Sequence, residues 1–113
     1  MGSYTGTKST GEKKTVKWIG YWEMDSKDMD VNLKKYQELL AAREKKDPRF
    51  PLKPLSDNYA IIGKYKGFII YNDDTTEEQL TNIAFHFKDT MKWCFEPIIT
   101  ASKVTELYMK SKK

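Results

Sequence analysis

The sequence predicts an α+β fold in which one antiparallel sheet carries its helices on a single face. Two observations predict it. Short runs of β-branched and aromatic residues fall at 15–24, 59–62, 68–71 and 91–95, and stretches of helical period follow the first and third of them. The two middle runs are joined by Gly63-Lys64-Tyr65-Lys66-Gly67, a glycine-flanked polar turn that makes them a hairpin and not a parallel pair. At 113 residues the chain fits one domain, expected over 15–109 between flexible tails at 1–14 and 110–113.

The opening stretch is rich in Gly, Ser, Thr and Lys and has only Tyr4 to bury. The first strand then places Val16, Trp18, Gly20, Trp22 and Met24 on one face and Lys17, Ile19, Tyr21 and Glu23 on the other. It ends at Asp25-Ser26-Lys27-Asp28, which has turn and helix-capping chemistry. From Met29 the spacing becomes helical, with Met29, Leu33, Tyr36 and Leu40 as the expected apolar stripe and Lys34, Lys35, Glu38 and Arg43 elsewhere. Pro48 predicts an end near Lys46. Pro48, Pro51 and Pro54 hold the next segment extended, and Phe50, Leu52 and Leu55 predict that it lies against the domain. After the hairpin, Thr75 with Glu78 forms a capping-box pattern that opens a second helix. Its stripe is Leu80, Ile83, Ala84 and Phe87, with Phe85 on the opposite side. Strand character returns at Met91 to Phe95, Pro97 marks a sheet edge, and Ser102 is placed to cap a short terminal helix with Val104, Leu107 and Tyr108 inward.

Strand, helix, hairpin, helix, strand is the split βαβ order of ferredoxin-like domains (βαββαβ), here with a short C-terminal helix added. Helices can cover one face of such a sheet, yet the first strand is apolar on both. The second face would leave a monomer with too large an exposed patch, so a homodimer through the sheet face is expected. Several motifs carry a resemblance as well: the aromatic first strand, the Phe-Pro-rich loop, the hairpin into Phe68-Ile69-Ile70-Tyr71, Thr76-Glu77-Glu78-Gln79-Leu80, and Phe95-Glu96-Pro97-Ile98 followed by Lys103-Val104 and Glu106-Leu107-Tyr108. Over about residues 15–110 the chain resembles a small prokaryotic family of unknown function placed in the dimeric α/β-barrel superfamily. The resemblance implies two sheets packed face to face as a dimeric α/β barrel. It implies no activity.

The formal charge is +4, but Lys8, Lys13 and Lys14 lie in the first tail and Lys110, Lys112 and Lys113 in the last, so the stretch between is close to neutral. A nucleic-acid binder carries its basic face on the folded part, so only weak nucleic-acid binding through the tails is kept as an alternative. Cys94 is the lone cysteine, which excludes an internal disulfide and suits a reducing compartment. No apolar run is long enough for a membrane helix, and the amino end lacks a signal-peptide core; cytoplasmic localisation and no membrane partner are expected. One His and one Cys make a metal site improbable on spacing, and no metal or cofactor is expected.

Flat aromatic groups next to a few polar ones suit a small apolar or aromatic ligand, and Trp18, Tyr21, Trp22 and Trp93 are the candidate binding residues. His86, Glu23 and Tyr21 are the candidate catalytic groups, against the plainer reading of His86 as a helix-flank residue. In the superfamily, cofactor-independent monooxygenases and isomerases hold small aromatic substrates between sheet and helices, which makes such an enzyme the alternative to a self-associating binding module. Its haem-degrading members use an asparagine on the first strand. This chain has none between Thr15 and Met24.

Overall fold

In the computed structural model, which describes residues 16–112, the order is β1 (Lys17–Glu23), a 3-10 turn (Ser26–Asp28), α1 (Met29–Glu44), β2 (Tyr59–Ala60), β3 (Lys66–Tyr71), α2 (Glu77–His86), β4 (Lys92–Ile98) and α3 (Ala101–Ser111). The four strands form one antiparallel sheet in the order β2-β3-β1-β4. The first and third strands are therefore central, consistent with the ferredoxin-like expectation. The basic stretch at 1–14 lies outside the described residues, while α3 runs through Lys110 and Ser111.

Alternation on the strands divides the sheet into two unlike faces. On the helix side, Ile69 and Tyr71 of β3 join Leu39, Phe50, Leu80, Ile83 and Phe87 in the core, and Trp18, Trp93 and Phe95 pack against it. Two glycines make room for the indole and phenyl rings of this layer. A Cβ at Gly67 would overlap the Tyr59 carbonyl oxygen and the Trp22 ring, and one at Gly20 would come within 2.7 Å of the Phe95 ring. Glycine here serves close packing of large aromatics on a small sheet.

Among the described residues the opposite face carries no helix. Across it, Tyr21 sits between Phe68 and Cys94, Ile19 between Ile70 and Glu96, and Glu23 between Lys66 and Lys92. Aliphatic and aromatic groups, with Glu96 beside them, occupy the middle of this face, and Lys66, Glu23 and Lys92 form a charged row at its end.

The first helix departs from the expected stripe. Asn32 and Leu39 are its buried residues, whereas Leu33 is 54% and Leu40 42% exposed. Asn32, Tyr36, Leu39 and Arg43 recur at i, i+4, i+7 and i+11, so the inward side is turned by about 60° from the apolar stripe. Polar anchors fix that rotation. Asn32 Nδ2 donates to the Thr90 carbonyl at 2.8 Å and Lys35 Nζ to Thr90 Oγ1 at 3.3 Å, both between α2 and β4.

The proline segment lies against the domain as expected: Phe50 is buried, Leu55 N–H donates to the Ile70 carbonyl at 2.8 Å, and Ser56 Oγ accepts from Ile70 N–H at 2.8 Å. The hairpin is shorter than the sequence suggests. Pairing in β2 stops at Ala60, because Ile61 and Lys66 close the turn by a 2.9 Å hydrogen bond and Gly63 turns the chain at φ 81°.

Both later helices start one or two residues from their expected caps. Thr75 is buried with its N–H held by the Asn72 carbonyl, so Thr76 is the N-cap of α2, and Thr76 with Gln79 forms the reciprocal capping box. In α3, Thr100 and not Ser102 caps, its Oγ1 accepting from Lys103 N–H at 3.1 Å. Among the described residues nothing covers the expected inner face of α3: it buries no residue, and Val104, Leu107 and Tyr108 all stay exposed.

Candidate functional site

Beneath the N-terminal half of α1, a cavity of about 180 Å3 opens between helix and sheet. Strand alternation aims Trp22 and Trp93, directly paired across β1 and β4, toward the helix side. Trp22 and Trp93 wall the sheet side of the cavity, and Met24, Met29 and Met91 surround it together with Phe87. Thioethers adapt to flat rings and tolerate varied contours, so such a lining favours an apolar, planar occupant.

Leu33 and three polar side chains, Asn32, Tyr36 and Asn58, complete the wall, and none of the lining residues is an acid, a lysine, an arginine or a histidine. Asn58 Oδ1 accepts from Trp22 Nε1 at 2.8 Å, which ties the proline segment to the indole. Asn32 is 2% exposed. Its Oδ1 is buried without a hydrogen-bond partner among the described residues, and so is Trp93 Nε1.

Of the residues singled out from sequence, Trp22 and Trp93 are brought together here. Trp18 shares their face but lies further along β1, opposite Tyr71 and Pro97. Tyr21 and Glu23 point to the opposite face, where they border a second, larger pocket of about 320 Å3 with Ile61, Phe68, Lys66 and Lys92. His86 sits in neither place. Its Nε2 is 2.9 Å from the Lys35 carbonyl and 3.3 Å from the Glu38 carboxylate, and its ring meets Phe87 edge-on at 5.1 Å, so it joins α2 to α1.

Compared with protein-family models, curated proteins and solved structures, the chain matches none. The site is therefore read from its own residues.

A second polar group lies further along α1. Tyr71, nearly fully buried, has its phenol pushed up from 10.0 to about 12, chiefly by burial, with the Arg43 charge opposing and Tyr36 adding to the rise. Arg43 keeps Nε and Nη2 buried without a partner among the described residues. Sequence reasoning missed Asn32 and the methionines Met24, Met29 and Met91. The available signal was Asn32 lying one position off the apolar stripe, one turn into a helix whose outer positions are leucines.

Proposed function

We propose that the protein is a self-associating module that holds a small apolar or aromatic ligand between α1 and the sheet. The observation that carries the ligand is the cavity of about 180 Å3 lined by two tryptophans, one phenylalanine and three methionines. That volume compares with the roughly 150 Å3 cavity known to take a benzene ring. The resemblance to a family placed in the dimeric α/β-barrel superfamily, whose enzymes hold small substrates between sheet and helices, is in keeping with that location. Among the candidate catalytic groups, Glu23, Tyr21 and His86 lie outside the cavity lining. Tyr21 and Glu23 border the separate pocket of about 320 Å3 on the opposite face, which keeps a cofactor-independent oxygenase or isomerase as the alternative.

Self-association draws support from two uncovered surfaces. The helix-free sheet face carries Ile19, Tyr21, Phe68 and Ile70 in its middle, and α3 holds Val104, Leu107 and Tyr108 exposed. A second copy can cover both at once, with the charged row of Lys66, Glu23 and Lys92 left at the rim, the usual anatomy of an interface.

Titration with indane, a bicyclic hydrocarbon, tests the ligand reading by calorimetry. Saturable binding of one molecule per chain is expected, weakened about tenfold or more by Met29→Lys, which places a charge at the cavity wall. No saturable binding of indane or of its polar analogue oxindole would remove the ligand reading.

A further inference from the structure

We propose that the pocket of about 320 Å3 on the helix-free face binds a free amino acid with an apolar side chain, reading its ammonium with Glu23 and its carboxylate with Lys66 and Lys92. This site is separate from the cavity under α1 and stands on its own observations. Antiparallel register sets six side chains from three adjacent strands into two rows on one face. Lys66, Glu23 and Lys92 form the outer row, and Phe68, Tyr21 and Cys94 the row beside it. All six line the pocket, and Ile61, just past β2, adds an apolar wall. In the pairing proposed above the charged row lies at the rim, which leaves the pocket an entrance from solvent.

The order of charges along the outer row decides the class of ligand. Neighbouring strands lie about 4.8 Å apart, so the row presents positive, negative and positive groups in close succession. Among the described residues no ion pair joins Glu23 to either lysine, and all three groups are available to a ligand. A lone carboxylate brought to a lysine meets Glu23 beside it, and a lone amine brought to Glu23 meets a lysine on each side. A zwitterion matches the row, because its ammonium and carboxylate share one carbon and can face neighbouring strands together. A peptide terminus brings only one of the two charges. Phe68, Tyr21 and Cys94 then lie under the ligand's side chain with Ile61 beside it, so an aromatic or large aliphatic group gains the most contact. The volume, at the small end of the range for ligand sites, suits a single amino acid.

NMR titration of the full chain with L-phenylalanine, 3-phenylpropionate and 2-phenylethylamine tests the proposal, since the three share a ring and its two-carbon arm and differ in their charges. Phenylalanine should shift the amide signals of Lys66, Gly67 and Lys92 saturably and bind about fivefold or more tightly than either analogue. Glu23→Gln should weaken phenylalanine and strengthen phenylpropionate, reversing their order. A variant with both Lys66→Gln and Lys92→Gln should favour phenylethylamine in the same way. All three side chains are exposed, so these variants should keep the fold. Phenylpropionate binding as tightly as phenylalanine to the wild type would overturn the zwitterion reading. Shifts confined to the surroundings of Met29 and Asn32, or no saturable shift, would overturn the site itself and leave the cavity under α1 to its own test.

Discussion

Lys46 holds a left-handed backbone, φ 58°, just past the end of α1. Asp47 N–H reaches back to the Ala42 carbonyl at 2.9 Å and Lys46 N–H to that of Arg43 at 2.9 Å, the closure that glycine usually serves. Lys46→Gly should therefore stabilise the fold by about 1 kcal/mol in urea denaturation, despite the added freedom of the unfolded chain. Tyr71 makes a prediction about pH. Its phenol titrates near 10.0 when unfolded and about 12 in the fold, so from pH 10 upward the unfolded state loses the proton first. Stability should be unaffected by this group below pH 10 and fall on the order of 2 to 3 kcal/mol as pH approaches 12, and Tyr71→Phe should flatten that alkaline decline. Alternation put Trp18 and Trp22 on one face of the first strand but left open whether that face meets the helices. Asn32 was not legible in the sequence, because its inward direction comes from a carbonyl at Thr90, distant in sequence.

At the scale of elements, Gln79 does two things that the capping motif alone does not convey. Its Oε1 accepts from Thr76 N–H at 3.0 Å, while its Nε2 donates to the carbonyls of Pro48 and Phe50 at 3.2 and 3.3 Å. The start of α2 and the proline segment are thus held by one amide. Gln79→Ala should cost about 1 kcal/mol and speed tryptic cleavage after Arg49; Thr76→Ala should cost a similar amount without exposing that bond. Element type and order could be read from period and turn residues, and α2 kept its predicted stripe because Leu80, Ile83 and Phe87 are the core contacts themselves. The rotation of α1 could not be read. Its leucines at 33 and 40 form a good stripe in isolation, yet both stay about half exposed, Leu33 beside the cavity, while Asn32 and Lys35 are anchored at Thr90.

For the whole molecule, strand order followed from the hairpin and the two helices, but association is a matter of surfaces that one chain leaves uncovered. If the chain dimerises as proposed, Tyr21→Glu on the helix-free face should give a monomer by light scattering while keeping the circular dichroism of the fold, since Tyr21 is 45% exposed within one chain. Leu107→Glu on α3 should act in the same direction if the partner also covers that helix. A clean wild-type monomer at micromolar concentration would end the dimer reading. The route of association is constrained further by β4. This outermost strand spans Lys92–Ile98, pairs with β1 along one side only, and has Pro97 near its end, which contributes no N–H. Lys92 and Glu96 add charge along the same strand. A free edge with a missing donor and mixed charge is a poor template for another strand, so ladder growth toward fibrils is suppressed at that side. On the proposed reading, pairing through the apolar face would therefore not be extended strand by strand at the β4 edge.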